Sequence, residues 1–223
     1  MSINAAAPSA AERAYGALKA EILDGTRSGG DLISEGEIAS ALGLSRTPVR
    51  EAFLRLETEG WMKLYPKRGA LIVPVGAAEA THVVQARFVV ETGAVAALTP
   101  AVTESIATAL DDSLQRQRDL AADGAVDDFA TVDTDFHRTW VAAADNPVLL
   151  AFYDTLRERQ QRMNAHSLRR DVTRIGDVID DHESLADHVR RGDAAAFATT
   201  LADHLERVHG ITLPGTTDPG DRS

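Results

Sequence analysis

The chain has 223 residues, 44% of them apolar, so it can bury one large core or two small ones; it has no cysteine, which excludes disulfides and thiolate metal sites. Its formal net charge of −11 argues at first against a nucleic-acid partner, but the charge is uneven. Residues 1–75 hold 9 Lys+Arg and 9 Asp+Glu, and the whole deficit falls on residues 76–223.

Residues 1–9 read as a loose tail, without the basic-then-apolar pattern of a secretory signal. Ala14, Leu18 and Ile22 recur at i+4 with Tyr15 beside them, which predicts a helix over 12–24 that Gly25 ends. Residues 27–31 form a loop with paired glycines. Ser34-Glu35-Gly36-Glu37 has the form of a capping box, in which each end side chain bonds the other's free backbone N–H. It opens a helix that turns Ile38, Ala39 and Leu42 inward and stops at Gly43. Ser45 suits the N-cap of a third helix, Pro48 is tolerated in its first turn, and Val49, Phe53 and Leu56 make its buried stripe up to Gly60. Two helices joined by a short glycine-containing turn form a helix-turn-helix. Residues 61–64 and 70–73 read as two short strands around the basic turn Tyr65-Pro66-Lys67-Arg68-Gly69, which makes a wing.

From residue 79 the hydrophobic period is helical throughout, with helices expected near 79–97, 102–122, 125–144, 147–168, 171–192 and 194–211. Asn146-Pro147 and Gly192-Asp193 mark breaks between them. The expected fold is mainly α. A winged helix-turn-helix covers 10–75, an all-α antiparallel helical bundle covers 76–213, and tails at 1–9 and 214–223 are expected to be disordered. No stretch approaches the roughly 20 apolar residues of a membrane span, so a cytoplasmic protein with no membrane partner is expected.

The second helix of a helix-turn-helix lies in the major groove and meets base edges with its first turn. Here that turn carries Ser45, Arg46, Thr47 and, one turn on, Arg50 on the face of Arg46. Arginine matches the paired acceptors of guanine, whereas Ser45, Thr47 and the helix N-terminus suit phosphate. Lys67 and Arg68 at the wing tip would reach backbone or minor groove. Two arginines alone would be an ordinary solvated face; the whole ordered pattern of capped helix, glycine turn, Arg-bearing helix and basic hairpin is far more specific.

Leu44-Ser45-Arg46-Thr47-Pro48-Val49-Arg50-Glu51-Ala52, then Leu56, Glu59-Gly60-Trp61 and Arg68-Gly69, resemble the signature of GntR-family regulators. The resemblance implies a winged-helix domain that binds a short palindromic operator in double-stranded DNA as a homodimer. It carries DNA contacts onto Arg46, Thr47, Arg50 and Gly69. Gly36 stands where many members have a basic residue, and Gly29 replaces a common proline.

Helix phase sorts the seven histidines. Asp133 and His137 stand at i and i+4 beside Ala130, Trp140 and Val141, so both can reach one ion from an inward face. His204 sits on the stripe Phe197, Leu201, Val208, and His182 sides with Leu185, Ala186 and Val189. His188 belongs to a polar face, and His82, His166 and His209 show no comparable grouping. Three imidazoles and a carboxylate suit Zn²⁺ above all, with Ni²⁺ or Mn²⁺ as alternatives; core histidines bonded to neighbours remain the other reading.

The C-terminal half is similar to the all-helical effector domain of the FadR-like subfamily. The similarity rests on Arg87-Phe88-Val89-Val90-Glu91, Asp133-Thr134-Asp135-Phe136-His137, Asn146-Pro147-Val148-Leu149, Asp181-His182-Glu183 and Asp203-His204-Leu205. The resemblance implies a divalent metal held by Asp133, His137, His182 and His204 at the floor of a cavity for small organic acids. Arg87 matches a position that often faces that cavity, or else it pairs with Glu91 at i+4; Gln160 can orient a ligand, or else be satisfied by backbone. The expected function is a ligand-responsive repressor. Direct sensing of the metal ion is the alternative, and a metal-dependent hydrolase is a remote third, since no general base accompanies the ligands.

Overall fold

The computed structural model describes residues 7–213, the side chains of 164–170 excepted. The expected tail at 214–223, and residues 1–6 of the other, lie outside the described residues. The chain divides into two compact units, Met1–Val75 and Gly76–Ser223.

The first unit opens with α1 (Ala10–Leu23). Ser9, expected in the loose tail, instead caps this helix. Its Oγ accepts the Glu12 N–H at 3.1 Å, and Glu12 Oε2 accepts the Ser9 N–H at 2.6 Å. The reciprocal box expected at Ser34 forms only by half: Ser34 Oγ accepts the Glu37 N–H at 3.1 Å, while the Glu37 carboxylate turns to Arg27 at 3.1 Å. Strand β1 (Leu32–Ile33) leads into α2 (Glu35–Leu42). Gly43 ends α2 in the left-handed conformation, φ 64°, and α3 (Arg46–Thr58) follows. Strands β2 (Met62–Tyr65) and β3 (Gly69–Ile72) close an antiparallel sheet of order β1-β3-β2. With two residues, β1 is too short to show alternation, which hid it in the sequence.

Leu18, Ile22, Phe53, Leu56, Trp61 and Ile72 fill the core of this unit. A polar clasp holds α1 to the end of α3. The Tyr15 hydroxyl donates to Glu59 Oε2 at 2.8 Å, Lys19 Nζ lies 3.0 Å from the same oxygen, and the Arg55 guanidinium stacks 3.7 Å over the Tyr15 ring. Arg55, one of six Lys and Arg between residues 45 and 68, is thus engaged within the fold.

The second unit contains α4 (Ala77–Ala96), α5 (Pro100–Asp123), α6 (Val126–Ala143), α7 (Pro147–Arg170), α8 (Ile175–Arg191) and α9 (Ala194–His209). The helix expected from 171 starts only at Ile175. Asp171 caps a 3-10 turn (Val172–Arg174) first, its side chain accepting the Thr173 N–H. α6 packs against α4, α5 and α7; α8 packs against α5 and α9; α9 also meets α4 and α7. The architecture is the mainly α one expected, a small winged unit followed by a helical bundle. Among the described residues, no helix is long and apolar enough to cross a membrane.

Candidate functional site

The middle of the bundle is polar. Asp133 and His137 project from α6, His182 from α8 and His204 from α9, and one donor atom from each lies within 4.8 Å of all the others. His137 Nε2 and His182 Nε2 are 3.2 Å apart, and His182 Nε2 is 3.4 Å from Asp133 Oδ1. The three imidazole rings form a near-equilateral set, with centroids 5.0, 5.2 and 4.9 Å apart. All four side chains are buried.

Each imidazole is held from behind through Nδ1. His137 Nδ1 meets Glu91 Oε2 of α4 at 2.8 Å, His182 Nδ1 meets Gln117 Oε1 of α5 at 2.7 Å, and His204 Nδ1 meets Asp181 Oδ2 at 3.2 Å. Asp181 is in turn gripped by Arg207 at 2.5 Å. Burial pushes His137 and His182 well below the ordinary imidazole range, with nearby Arg87 and His204 adding to the effect. Burial also lowers His204, against the opposing pull of Asp181.

Neutral rings that give Nδ1–H to an acceptor present a bare Nε2 lone pair on the other side. The carboxylates of Glu91 and Asp181 fix that tautomer at His137 and His204. Gln117 is an amide and can offer either end, so His182 alone can change tautomer. Two Nε2 lone pairs at 3.2 Å repel unless a proton or a cation lies between them. Three nitrogens, one carboxylate oxygen and a carbonyl or carboxylate behind each ring are the donor set of a divalent transition ion, and the residues fit one. Phe136, stacked on His182 at 4.5 Å, and Trp140, edge-on to His137 at 5.2 Å, wall the centre with apolar surface.

Arg87 and Gln160 stand beside this centre. Arg87 Nε donates to Glu91 Oε1 at 2.9 Å, so the i+4 pairing forms; yet Arg87 Nη2 is buried without a partner. Gln160 Oε1 lies 3.5 Å from the Tyr153 hydroxyl, which itself donates to Glu91 Oε1 at 2.8 Å, and Gln160 Nε2 is also buried and unpartnered. Burial and the neighbouring Glu91 push Tyr153 well above the ordinary phenol range, so it remains a donor. Periodicity did not single out Glu91, Gln117, Asp181 or Tyr153 as parts of the centre, because their partners stand on other helices, 23–65 residues away in sequence. His209 shows no grouping in the sequence. Although part-exposed, it too is driven toward the neutral form by burial, with Arg87 and His204 the next causes.

The first unit offers a different surface. Ser45, Arg46, Thr47 and Arg50 are exposed at the start of α3. Ser45 occupies the N-cap position but makes no side-chain cap bond, which leaves its hydroxyl open. Arg46 lies against Gly36, where a Cβ would come within 3.3 Å of its Nη2. Lys67 and Arg68 are exposed in the turn between β2 and β3, Lys67 with φ 63°. Gly69 has a steric role of its own. Its φ is 102°, and a Cβ there would lie 2.2 Å from the Ile33 carbonyl oxygen.

The FCD domain family matches residues 82–207, and the family described as bacterial regulatory proteins, gntR family, matches residues 10–72. The chain belongs to the gntR family of bacterial regulatory proteins. Among GntR-family relatives, the HTH-type transcriptional repressor RspR of Escherichia coli K12 is 28% identical over 134 residues, covering 60% of this chain and 59% of the relative. This chain thus spans about three fifths of the length of that relative. The gluconate operon transcriptional repressor of Bacillus subtilis is 25% identical over 185 residues, 80% of this chain and 74% of the relative. A GntR structure from Rhodococcus sp. RHA1 superposes with a TM-score of 0.75 at 23% identity, over 90% of this chain and 95% of the other, and so shares the fold. The proteins matched are regulators, not enzymes.

Proposed function

We propose that this protein is a transcription repressor that binds a short palindromic operator as a homodimer. Its helical unit holds one divalent metal ion, most naturally zinc, on Asp133, His137, His182 and His204, and senses a small carboxylate there. The observation that carries this reading is the inward turn of three neutral imidazoles onto one aspartate, beside two buried donors with nothing to bind. An ion at these donors supplies a Lewis-acidic position for a carboxylate oxygen. Arg87 Nη2 and Gln160 Nε2 hold the remaining oxygens, and Glu91 keeps Arg87 and His137 in register. On the first unit, Arg46 and Arg50 read bases, while Ser45, Thr47, Lys67 and Arg68 hold phosphates, and Gly69 keeps the wing in place. The repressor names of RspR and the gluconate operon protein support the direction of control.

The test has two arms. The full chain selects its operator from random duplexes. Arg46→Ala and Arg50→Ala then each weaken binding by about 1–3 kcal/mol while leaving the melting midpoint in place. Metal-stripped and zinc-loaded protein are melted against mono-, di- and hydroxycarboxylates, since a ligand of the native state raises the midpoint by mass action. One acid that stabilises only the loaded protein, and that also changes operator affinity, is the expected result. Stabilisation by zinc with no further gain from any acid makes the ion itself the signal. Equal operator affinity with and without a bound acid refutes the ligand-responsive mechanism.

A further inference from the structure

α4 and α7 pack on each other, and each packs on α6 and α9, so the two form one outer layer of the bundle. α5 and α8, packed on each other and on α6 and α9 in turn, form another. The two layers meet solvent with different chemistry. α5 and α8 expose Asp111, Asp112, Arg116, Arg118, Glu183 and Arg190, the ordinary charged face of amphipathic helices. Between residues 80 and 98, by contrast, the only Asp, Glu, Lys or Arg are Arg87 and Glu91, and both are buried. Besides His82, α4 exposes Val89, Gly93 and Ala96 there, three and four residues apart on one line. Residues 147–153 at the start of α7 carry no charge either, and they expose Val148 and Phe152. Val89 is 68% exposed, Val148 79% and Phe152 49%. Large apolar side chains gathered in one layer, rather than scattered singly, mark a surface that another molecule covers. The charges at its margin are paired with each other: Arg159 of α7 with Glu79 of α4, and Arg138 of α6 with Asp154 of α7. Gly93 is a separate sign. A Cβ there would meet nothing within 4 Å, so nothing in this chain requires glycine in the middle of α4, where it weakens the helix. A bare backbone suits the close approach of another helix.

We propose that this outer face of α4 and α7 is where a second copy of the chain packs, about a two-fold axis that brings the α4 helices of the two copies together. The proposal rests on the homodimer reading and names the surface that closes the dimer. Charge selects the occupant. The second unit carries the whole net charge of −11, so two copies repel over most of their surface and close best where charge is absent. Near a two-fold axis each residue meets its own counterpart, so a charged residue there would face its like. The outward line of α4 meets that condition over about five turns. A different partner suited to so acidic a unit would bring basic groups, and this face offers them no free acid. An apolar centre inside an ion-paired rim is the anatomy of a specific interface. Two helices side by side, one of them 20 residues long, present about 600 Å² per copy, the lower end of what specific dimers bury.

The chain has no cysteine, so a single introduced thiol forms a disulfide only between copies. The full chain is prepared as Val89→Cys, Gly93→Cys and Ala96→Cys, with Ala109→Cys, exposed on α5, as the control, and each is mildly oxidised at micromolar concentration. A disulfide needs Cα atoms within about 7 Å, so at least one α4 variant should link into a covalent dimer at least about tenfold faster than the control. Sedimentation of Val89→Asp and Phe152→Asp should show the dimer dissociation constant raised by at least about 30-fold, with Ala109→Asp within about threefold of wild type. Val89→Asp mixed with Val89→Lys should recover a dimer that neither forms alone. Cross-linking decides the matter even if an aspartate variant fails to fold. A dimeric wild type that neither aspartate loosens overturns the proposal and leaves the homodimer reading standing. Three α4 cysteines that oxidise no faster than the control do the same. A wild type that is monomeric at these concentrations also overturns the proposal; if it is monomeric on its operator as well, the homodimer reading falls with it.

Discussion

The two candidate sites of this protein are built on opposite plans. On the first unit, Arg46, Thr47 and Arg50 stand exposed on α3, while Val49, Phe53 and Leu56 on its other face fill the core. On the second unit, the side chains of the candidate site are themselves the core: His137, His182, Glu91, Gln117 and Gln160 are completely buried. Exposed groups can be altered with little effect on the fold. Buried groups cannot, because each is the hydrogen-bond partner of another. In the first unit stability and function are separable; in the second they are one property.

The largest test of this contrast at a single residue is His137→Ala. It deletes a proposed metal donor and strips Glu91 Oε2 of its partner in the interior. Breaking such a pair should cost about 3–5 kcal/mol and abolish stabilisation by zinc, whereas Arg46→Ala should leave the melting midpoint within about 0.5 kcal/mol of wild type. If metal-free His137→Ala melts like the metal-free wild type, the centre is not part of the core and the contrast fails.

Acid should separate the units next. Residues 1–75 contain no histidine. In the second unit, burial lowers His137, His182, His204 and His209 below the ordinary imidazole value of about 6.5. Below that value the unfolded chain binds more protons than the folded one. The stability of metal-free protein is therefore full above pH 6.5 and is lost as pH falls toward the folded values, by up to about 1.4 kcal/mol per pH unit for each histidine. Chemical denaturation at a series of pH values should show the second unit weakening as pH falls below about 6.5 while the first is steady. A uniform weakening of both units would blur the comparison.

Gly69→Ala is the smallest of the three effects and runs against the pattern. The residue lies at the wing, among the proposed DNA-binding positions, yet a Cβ would lie 2.2 Å from the Ile33 carbonyl oxygen. A cost of about 1–3 kcal/mol to the first unit is expected, together with weaker operator binding. Unchanged melting would mean that β1 yields easily, and Gly69 would then rank with the exposed contacts.

Much of this arrangement was legible along the chain, because it is written locally. The helices announce themselves by period, and α2, α5, α8 and α9 end on left-handed glycines. Asp133 and His137 share a face by i+4 spacing, and His182 and His204 lie on apolar stripes, so four donors were readable before any contact was known. What could not be read depends on which helix faces which. Gln117 supports His182 from a point 65 residues away, and nothing in the phase of either helix says that they meet. The same holds for Glu91 with Tyr153. At finer scale, the spacing from Ser34 suggests Glu37 as its capping partner, but a stronger claim on its charge comes from Arg27, an ion pair that spacing within one helix does not reveal.

Each of the six α-helices described in the second unit sends at least one side chain to the same point: Glu91, Gln117, His137, Tyr153, His182 and His204 come from α4 to α9 in order. One residue added inside a helix turns everything beyond it by about 100° and lifts it by about 1.5 Å. A length change inside any of these helices therefore misaligns that helix at the centre, whereas the turns at Gly124, Asn146 and Gly192 can lengthen without moving a donor. Descendants of this sequence should thus vary in their joints and keep count in their helices, a pattern of permitted and forbidden insertions that records the centre even where the residues around it have drifted.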